Sequence, residues 1–275
     1  MTRDLGRYFL LTFVAAWVLW SAAATIPRDG ATGALAGAIF LLGTFSPSLV
    51  ALALTARQHG RDAAGALFNR IFKTDVSPWW YVFAIAFMPA IKLSTAAISR
   101  LITGAWPRFG TEPWYLMIGV LVVSVWVQAG EEIGWRGFAL PRLAARLGLG
   151  PGSVVLGVIW AAWHLPLFLV SASDTFGQSF PLFLTEVTAM SVAMAWLYWR
   201  TGGSLLLVML LHAAVNNTKD IVPSIVPGAT DPFALSTSLV AWITAALLWV
   251  AAGYFLIRMR GGRLDARTLP QAQTG

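Results

Sequence analysis

Residues 113–136, PWYLMIGVLVVSVWVQAGEEIGWR, join an apolar run to two adjacent glutamates, Glu131 and Glu132, with Arg136 one helical turn later. The apolar run has the character of a membrane span. Even on insertion-based scales, a charged side chain at the centre of a bilayer costs about 2.5–3.5 kcal/mol. Two carboxylates at the end of such a run therefore indicate a functional site inside a membrane protein.

The composition of the whole chain supports this interpretation. Of its 275 residues, 57% are hydrophobic and 11% are charged, and 14 are tryptophan. Soluble domains carry roughly 25% charged residues. Cysteine is absent, which excludes disulfides, a cysteine nucleophile and a thiolate metal site.

The pattern of apolar segments predicts an all-α fold, a polytopic membrane helix bundle of about eight transmembrane helices in a single membrane domain over 1–275. The seventh segment is short for a span, and we expect it to be tilted or to continue as a broken helix through NNTKD (216–220). The predicted spans are Tyr8–Ile26, Ala31–Thr55, Pro78–Ile98, Pro113–Gln128, Gly152–Val170, Ser179–Trp199, Leu205–Asn216 and Leu235–Ile257.

The basic residues divide unequally between the two sides of such a bundle. One side would hold Arg28, Arg100, Arg108 and Lys219. The positive-inside rule then places both termini in the cytoplasm of a multi-pass protein of the cell membrane, which we expect to be a bacterial inner membrane. It also explains the net charge of +7 without a nucleic-acid partner. The basic residues of the predicted cytoplasmic side are Arg3, Arg7, Arg57, Arg61, Arg70, Lys73, Arg136, Arg142, Arg146, Arg200, Arg258, Arg260, Arg263 and Arg267.

Three further segments have alternative interpretations. Tyr8–Ile26 is favoured as a retained span over a cleaved signal peptide, because it is long and contains two tryptophans. The segments 61–73 and 136–148 are amphipathic, with Leu67, Phe68, Ile71 and Phe72 on one face of the first. We expect both to contact lipid, and the alternative is a loop helix packed on the bundle.

Polar residues are rare within the predicted spans, and they form three clusters. The first is the pair Glu131 and Glu132, the second is Trp160 with His164, and the third is His212 with Asn216. In the last two clusters the residues are four apart, which puts each pair on one helix face. The estimated depths allow all three clusters to meet in one cavity, which we expect to open to the cytoplasm.

Adjacent residues on a helix point about 100° apart, so Glu131 and Glu132 have different tasks. Glu132 and Arg136 have the spacing of an ion pair and would brace the helix end. Glu131, facing the cavity beside a neutral His164, would deprotonate a water molecule. His212 and Asn216 would donate hydrogen bonds to an oxyanion. The alternative is that these polar groups only bond across the bundle.

Two other charged residues lie within predicted spans, Lys92 and Glu186. Their similar depth and opposite sign predict a buried ion pair far from the catalytic cluster. The alternative is that Lys92 extends alone toward the membrane surface.

The motifs resemble those of the CPBP family of intramembrane proteases, which includes the type II CAAX prenyl endopeptidases and many bacterial Abi-like proteins. EEIGWR (131–136) is similar to the family's E-E-x-x-x-R signature, and HAAVN (212–216) to its H-x-x-x-N motif. In WAAWH (160–164), Trp160 stands where the family more often has Phe. The resemblance covers approximately 113–217, which we take as the catalytic core.

The resemblance implies an eight-span helical bundle in which Glu131 and His164 activate water and His212 and Asn216 stabilise the oxyanion. Glu132, Arg136 and Trp160 would support them. The family is also described as metalloprotease-like, and Glu131, His164 and His212 would be a plausible Zn²⁺ set. The glutamate-and-water mechanism requires no cofactor and is favoured here, because the candidate ligands come from three helices and no H-E-x-x-H motif is present.

The sequence thus predicts an intramembrane endopeptidase acting on a peptide or membrane-protein substrate within the lipid bilayer. The alternative is a non-enzymatic membrane immunity protein or a transporter that acts by binding. A transporter is less favoured, because the halves show no internal symmetry. Immunity, peptide processing and membrane-protein turnover are all compatible with the motifs, and the sequence indicates no oligomeric state.

Overall fold

All regular structure in the described chain is helical, which confirms the predicted fold class. The computed structural model describes residues 2–111, 113–171, 173–224 and 231–264, so that Arg267 lies outside the described residues. Three 3₁₀ turns, Asn69–Phe72, Leu165–Leu169 and Lys219–Ile221, and a π-helical segment, Ile133–Ala139, connect or extend the α-helices. The α-helices are α1 (Thr2–Thr25), α2 (Gly30–Thr44), α3 (Ser46–Phe68), α4 (Pro78–Thr103), α5 (Trp114–Glu132), α6 (Leu140–Leu147), α7 (Leu149–Trp163), α8 (Phe180–Arg200), α9 (Leu205–Thr218) and α10 (Leu239–Arg258).

The predicted number of eight spans is approximate. Within the described residues, five segments are long and apolar enough to cross a membrane, in α1, α4, α7 with its following 3₁₀ turn, α8 and α10. The bent pair of α2 and α3 makes a sixth. The other two predicted spans correspond to α5 and α9, and α9 has only 14 residues before its 3₁₀ continuation through Lys219–Ile221. A bilayer crossing needs about 20 residues, so α9 is a short, broken helix.

The second predicted span, Ala31–Thr55, is not one straight helix. The chain bends by 51° between α2 and α3. Pro47 lies in the first turn of α3, where its missing N–H costs no helical hydrogen bond. Next to it, Ser48 Oγ donates to the carbonyl of Ala129 at 2.6 Å and accepts from the Gly134 N–H at 3.2 Å. The bend therefore anchors the start of α3 on both sides of the glutamate pair.

The two amphipathic segments differ from each other. Gly60, with φ +85°, separates residues 61–68 from the rest of α3. In this segment and the 3₁₀ turn after it, Leu67 and Ile71 are buried whereas Phe68 and Phe72 are exposed.

The lipid contact predicted for 136–148 is wrong over residues 136–143, which are all buried. The reason is that the helix continues into the bundle, where Phe138 packs on Tyr8 with ring centroids 4.8 Å apart. The alternative interpretation, a helix packed on the bundle, is correct for this part of the segment.

A helical hairpin that turns at Gly148 carries two of the predicted catalytic residues, Glu131 and His164. Gly148 has φ +85°, a conformation that favours glycine. Glu131 lies 17 residues before this turn and His164 lies 16 residues after it. Because the two arms are of nearly equal length, they bring Glu131 to about the level of His164, and Trp160, one turn from His164, hydrogen bonds to Glu131.

The bundle has two ends that the loops define. At one end, the basic face, Trp199 Nε1 donates to the Arg263 carbonyl and Ser204 Oγ donates to the Lys73 carbonyl. At the other end, the distal face, the N–H of Phe180 donates to the Pro232 carbonyl. The 21 residues of α8 connect the two faces and span about 31 Å. The start of α1 and the end of α10 both lie at the basic face.

We predict that Gly157→Ala destabilises the bundle by about 1–3 kcal/mol, because the added methyl group overpacks the interface of α7 with α8. A Cβ at this position would lie 2.7 Å from Thr188 Cα and 2.9 Å from Ser191 Cβ. The matched control is Gly37→Ala in α2, where a Cβ would meet nothing within 4 Å. Thermal unfolding of the purified proteins in detergent measures the difference, and equal melting temperatures for the two variants would contradict the packing.

Candidate active site

A cavity of about 270 Å³ lies between α4, α5, α7, α8 and α9. The four side chains predicted to be catalytic all line it: Glu131, His164, His212 and Asn216. Trp160 lines it as well. The structure therefore brings together polar residues that come from three separate helices of an otherwise apolar bundle.

Glu131 is fixed in the cavity wall by two tryptophans. Its Oε2 accepts hydrogen bonds from Trp160 Nε1 at 2.7 Å and from Trp135 Nε1 at 3.3 Å. The residue is only 6% exposed. Its second oxygen, Oε1, makes no hydrogen bond to the described chain, which leaves it available to a water molecule. A phenylalanine at position 160 could not make the shorter of these two bonds.

Glu132 lies behind Glu131 and has no contact with solvent. The predicted ion pair with Arg136 is present, with Arg136 Nη1 at 2.7 and 3.0 Å from the two carboxylate oxygens. His212 Nδ1 lies 2.8 Å from Glu132 Oε1, so the same carboxylate also binds α9. The Arg136 guanidinium is centred 4.3 Å from the Trp160 ring, a cation–π contact. This arrangement lies where α5 widens into a π-helical segment, a feature frequent at functional sites.

The two histidines of the cavity each use Nδ1 in a hydrogen bond, and the other ring nitrogen of each has no partner in the described chain. His164 Nδ1 is 2.8 Å from the Trp160 carbonyl. Because a carbonyl only accepts, Nδ1 of His164 carries the proton and Nε2 of the neutral ring is an acceptor. His212 Nδ1 likewise donates to the Glu132 carboxylate, which holds the ring edge-on to Trp160 at 5.1 Å between centroids. Both imidazoles are thus oriented by a hydrogen bond of Nδ1 to another residue of the protein.

Asn216 follows His212 by one helical turn and is exposed to the cavity. Its side-chain amide makes no hydrogen bond to the described part of the chain. The amide therefore remains a free donor next to the imidazole of His212.

The sequence did not reveal every residue of the site. Trp135 was missed, although it lies four residues after Glu131 and the helical spacing that identified the Glu132–Arg136 pair would have found it. The role of His212 as a partner of Glu132 was also missed, because a contact between α5 and α9 leaves no signal in the local spacing.

Lys92 and Glu186 were predicted to lie far from the catalytic cluster, and this prediction is wrong. Both residues line the same cavity as the catalytic candidates. They do not form the predicted ion pair within the described chain, and Lys92 Nζ donates to the Val222 carbonyl at 3.1 Å. Glu186 Oε1 is buried without a hydrogen-bond partner in the described chain.

The cavity reaches the surface at the distal face. Its rim is built from segments 170–179 and 219–224. Across the rim, Lys219 forms an ion pair of 2.7 Å with Asp174. Although partial burial opposes ionisation, the Lys219 ammonium holds the pKa of Asp174 below its ordinary value. The start of α1 and the end of α10 lie at the opposite face, so the predictions that the cavity and both termini face the cytoplasm are incompatible. The cause is that Glu131 lies 16 residues before the end of α6, much deeper in the bundle than the end of a span.

The predicted zinc set does not form a metal-binding group. In residues 2–111, 113–171, 173–224 and 231–264, no three His, Asp or Glu side chains are grouped so as to hold a metal ion. Glu131 Oε2 and the Nδ1 atoms of both histidines bond to protein groups, whereas Glu131 Oε1 and the Nε2 atoms make no hydrogen bond to the described chain. We therefore derive no step through a metal.

Comparison with known proteins identifies the region that contains the cavity residues. Residues 113–218, from the start of α5 to the end of α9, match the family model of Rce1-like type II CAAX prenyl endopeptidases. Over 228 residues, the chain is also 25% identical to CAAX prenyl protease 2 of Methanococcus maripaludis, an alignment that covers 78% of this chain and 83% of that protein. Residues 113–218 of this helical membrane protein, which carry all three motifs, are thus similar to the Rce1-like CAAX prenyl endopeptidases.

Proposed function

We propose that this protein is an intramembrane endopeptidase that hydrolyses a peptide bond with water activated by Glu131 and His164. One observation carries the proposal: Glu131, His164, His212 and Asn216 all line one cavity in a bundle whose spans are otherwise almost free of charge. The names of the matched family and relative agree with a protease.

In the first step, one water molecule binds between Glu131 Oε1 and His164 Nε2. Both atoms are acceptors when the carboxylate is ionised and the imidazole is neutral. The carboxylate removes a proton from the water as the oxygen attacks the carbonyl carbon of the substrate. The proton is then transferred to the leaving nitrogen, so that water adds OH to the acyl product and H to the amine.

The attack of the water also requires a group that stabilises the negative charge that develops on the carbonyl oxygen. Asn216 offers its amide N–H, and His212 offers Nε2–H when its ring is protonated. The Glu132 carboxylate at 2.8 Å from Nδ1 fixes the orientation of that ring. Two such donors directed at one carbonyl oxygen are typical of an oxyanion hole.

Glu132 and Arg136 act as positioning residues in this mechanism. Their ion pair is fully buried, and the loss of one partner from a buried pair costs about 3–5 kcal/mol. We therefore assign them to the assembly of the site and not to the transfer of protons.

We predict that Glu131→Gln lowers the rate of peptide cleavage by about 10²–10⁴-fold, because the amide cannot accept the proton of water. The matched control is Asp62→Asn, the same change from carboxylate to amide on the basic face, which should retain wild-type activity. The assay is cleavage of a peptide library by purified protein in detergent, read by mass spectrometry. Undiminished cleavage by both Glu131→Gln and His164→Ala would contradict the mechanism, and undiminished biological protection without cleavage would favour a binding protein.

We predict that Trp160→Phe lowers kcat about tenfold to a hundredfold with little change in KM. The substitution removes a hydrogen bond to a charged group, worth about 1.5–3 kcal/mol, and keeps most of the side-chain volume. Trp163→Phe is the control, because the Trp163 indole N–H has no partner in the described chain. Equal kcat values for the two folded variants would show that the bond to Glu131 does not matter.

We predict that cleavage survives exhaustive chelation, since Glu131 and His164 can activate water without a metal. The measurement is the rate after dialysis against EDTA and 1,10-phenanthroline, with Glu131→Gln as the inactive reference. Loss of activity that added Zn²⁺ restores would overturn the metal-free mechanism.

A further inference from the structure

We infer that the cavity opens on the extracytoplasmic side of the membrane and takes an apolar peptide segment presented from outside the cell. The cleavage of that segment rests on the proposed function. The sidedness rests on the geometry of the bundle and its charges alone.

The rim of the cavity lies at the distal face. The Asp174 side chain is 74% exposed and its partner Lys219 is 29% exposed, so this ion pair lies at the surface. Asn216, one turn below Lys219, is itself exposed. A path therefore leads from the catalytic candidates to the loops of the distal face.

Toward the basic face, the site is closed in the described chain. Glu132, Trp135, Arg136 and Phe138 directly follow Glu131 along the helix, and all four are completely buried. The start of α3 closes the same region through the bonds of Ser48 to Ala129 and Gly134. A substrate would have to displace this packed layer to enter from the basic face.

The charges assign the two faces to the two sides of the membrane. Arg28, Arg100, Arg108 and Lys219 lie toward the distal face, together with four aspartates, so that this face is nearly neutral. The positive-inside rule places the other face in the cytoplasm. The described basic side chains of that face number eleven: Arg7, Arg57, Arg61, Arg70, Lys73, Arg142, Arg146, Arg200, Arg258, Arg260 and Arg263.

The cavity wall indicates the chemistry of the substrate. Beyond the catalytic candidates, α4, α8 and α10 contribute Met88, Met190, Met194 and Leu248. Methionine adapts to irregular apolar shapes, so this wall suits a large apolar side chain next to the scissile bond. A peptide that remains in the cytoplasm, including a prenylated carboxyl terminus, would not reach the mouth of this cavity.

The absence of cysteine from the chain allows a direct test of sidedness. Single variants Ser171→Cys and Asp231→Cys place a thiol at exposed positions of the distal face, and Ala145→Cys places one at an exposed position of the basic face. Spheroplasts are treated with a membrane-impermeant maleimide before and after permeabilisation. We expect the two distal variants to be labelled at once and Ala145→Cys only after permeabilisation, with at least a tenfold difference in rate. The reverse pattern, or equal labelling of both faces before permeabilisation, overturns the inference.

A second experiment tests the substrate side. An internally quenched apolar peptide is added to right-side-out and to inverted membrane vesicles that contain the protein, with Glu131→Gln vesicles as the blank. We expect cleavage at least tenfold faster in right-side-out vesicles, and faster cleavage in inverted vesicles overturns the inference. The labelling reads sidedness without any catalysis, so the predicted labelling with no cleavage in either vesicle would reject the proposed function and leave the sidedness intact.

Discussion

The Glu132 carboxylate, buried between Arg136 and His212, is the interaction on which the site depends. A lone carboxylate would be expelled from the interior of a membrane bundle, whereas one that is paired and hydrogen bonded can remain there. Arg136 comes from the same helix, and His212 comes from α9. The pair of contacts therefore fixes both the rotation of α5 and its distance from α9.

That rotation determines where Glu131 points. The neighbouring side chain is turned by about 100° on a helix, which directs it away from the Glu132 cluster and toward Trp160. The hairpin at Gly148 brings Trp160 to the same level, and its indole bonds one carboxylate oxygen. Glu131 is thus held by one oxygen, and the other faces the cavity. The buried cluster of Glu132, Arg136 and His212 thus positions the Glu131 carboxylate, which keeps one oxygen available to a water molecule.

The sequence predicted those features that depend on local spacing. The helices, the Glu132–Arg136 pair and the shared faces of Trp160 with His164 and of His212 with Asn216 follow from i, i+4 positions. The bend between α2 and α3, the burial of residues 136–143 and the place of Lys92 in the cavity depend on how helices pack, which local spacing does not encode. The depth of the site was misjudged for a related reason. The apolar run predicts that a span ends close to Glu131, whereas the helix continues through a π-helical segment to Leu147.

The most direct test of the account is an experimental structure of the protein in a lipid nanodisc. We predict that it shows His212 Nδ1 and Arg136 in hydrogen-bond contact with Glu132, and Trp160 Nε1 bonded to Glu131 in a cavity that His164 and Asn216 share. A structure in which Glu131 and the two histidines point outward to lipid, or lie in separate parts of the bundle, would contradict the account.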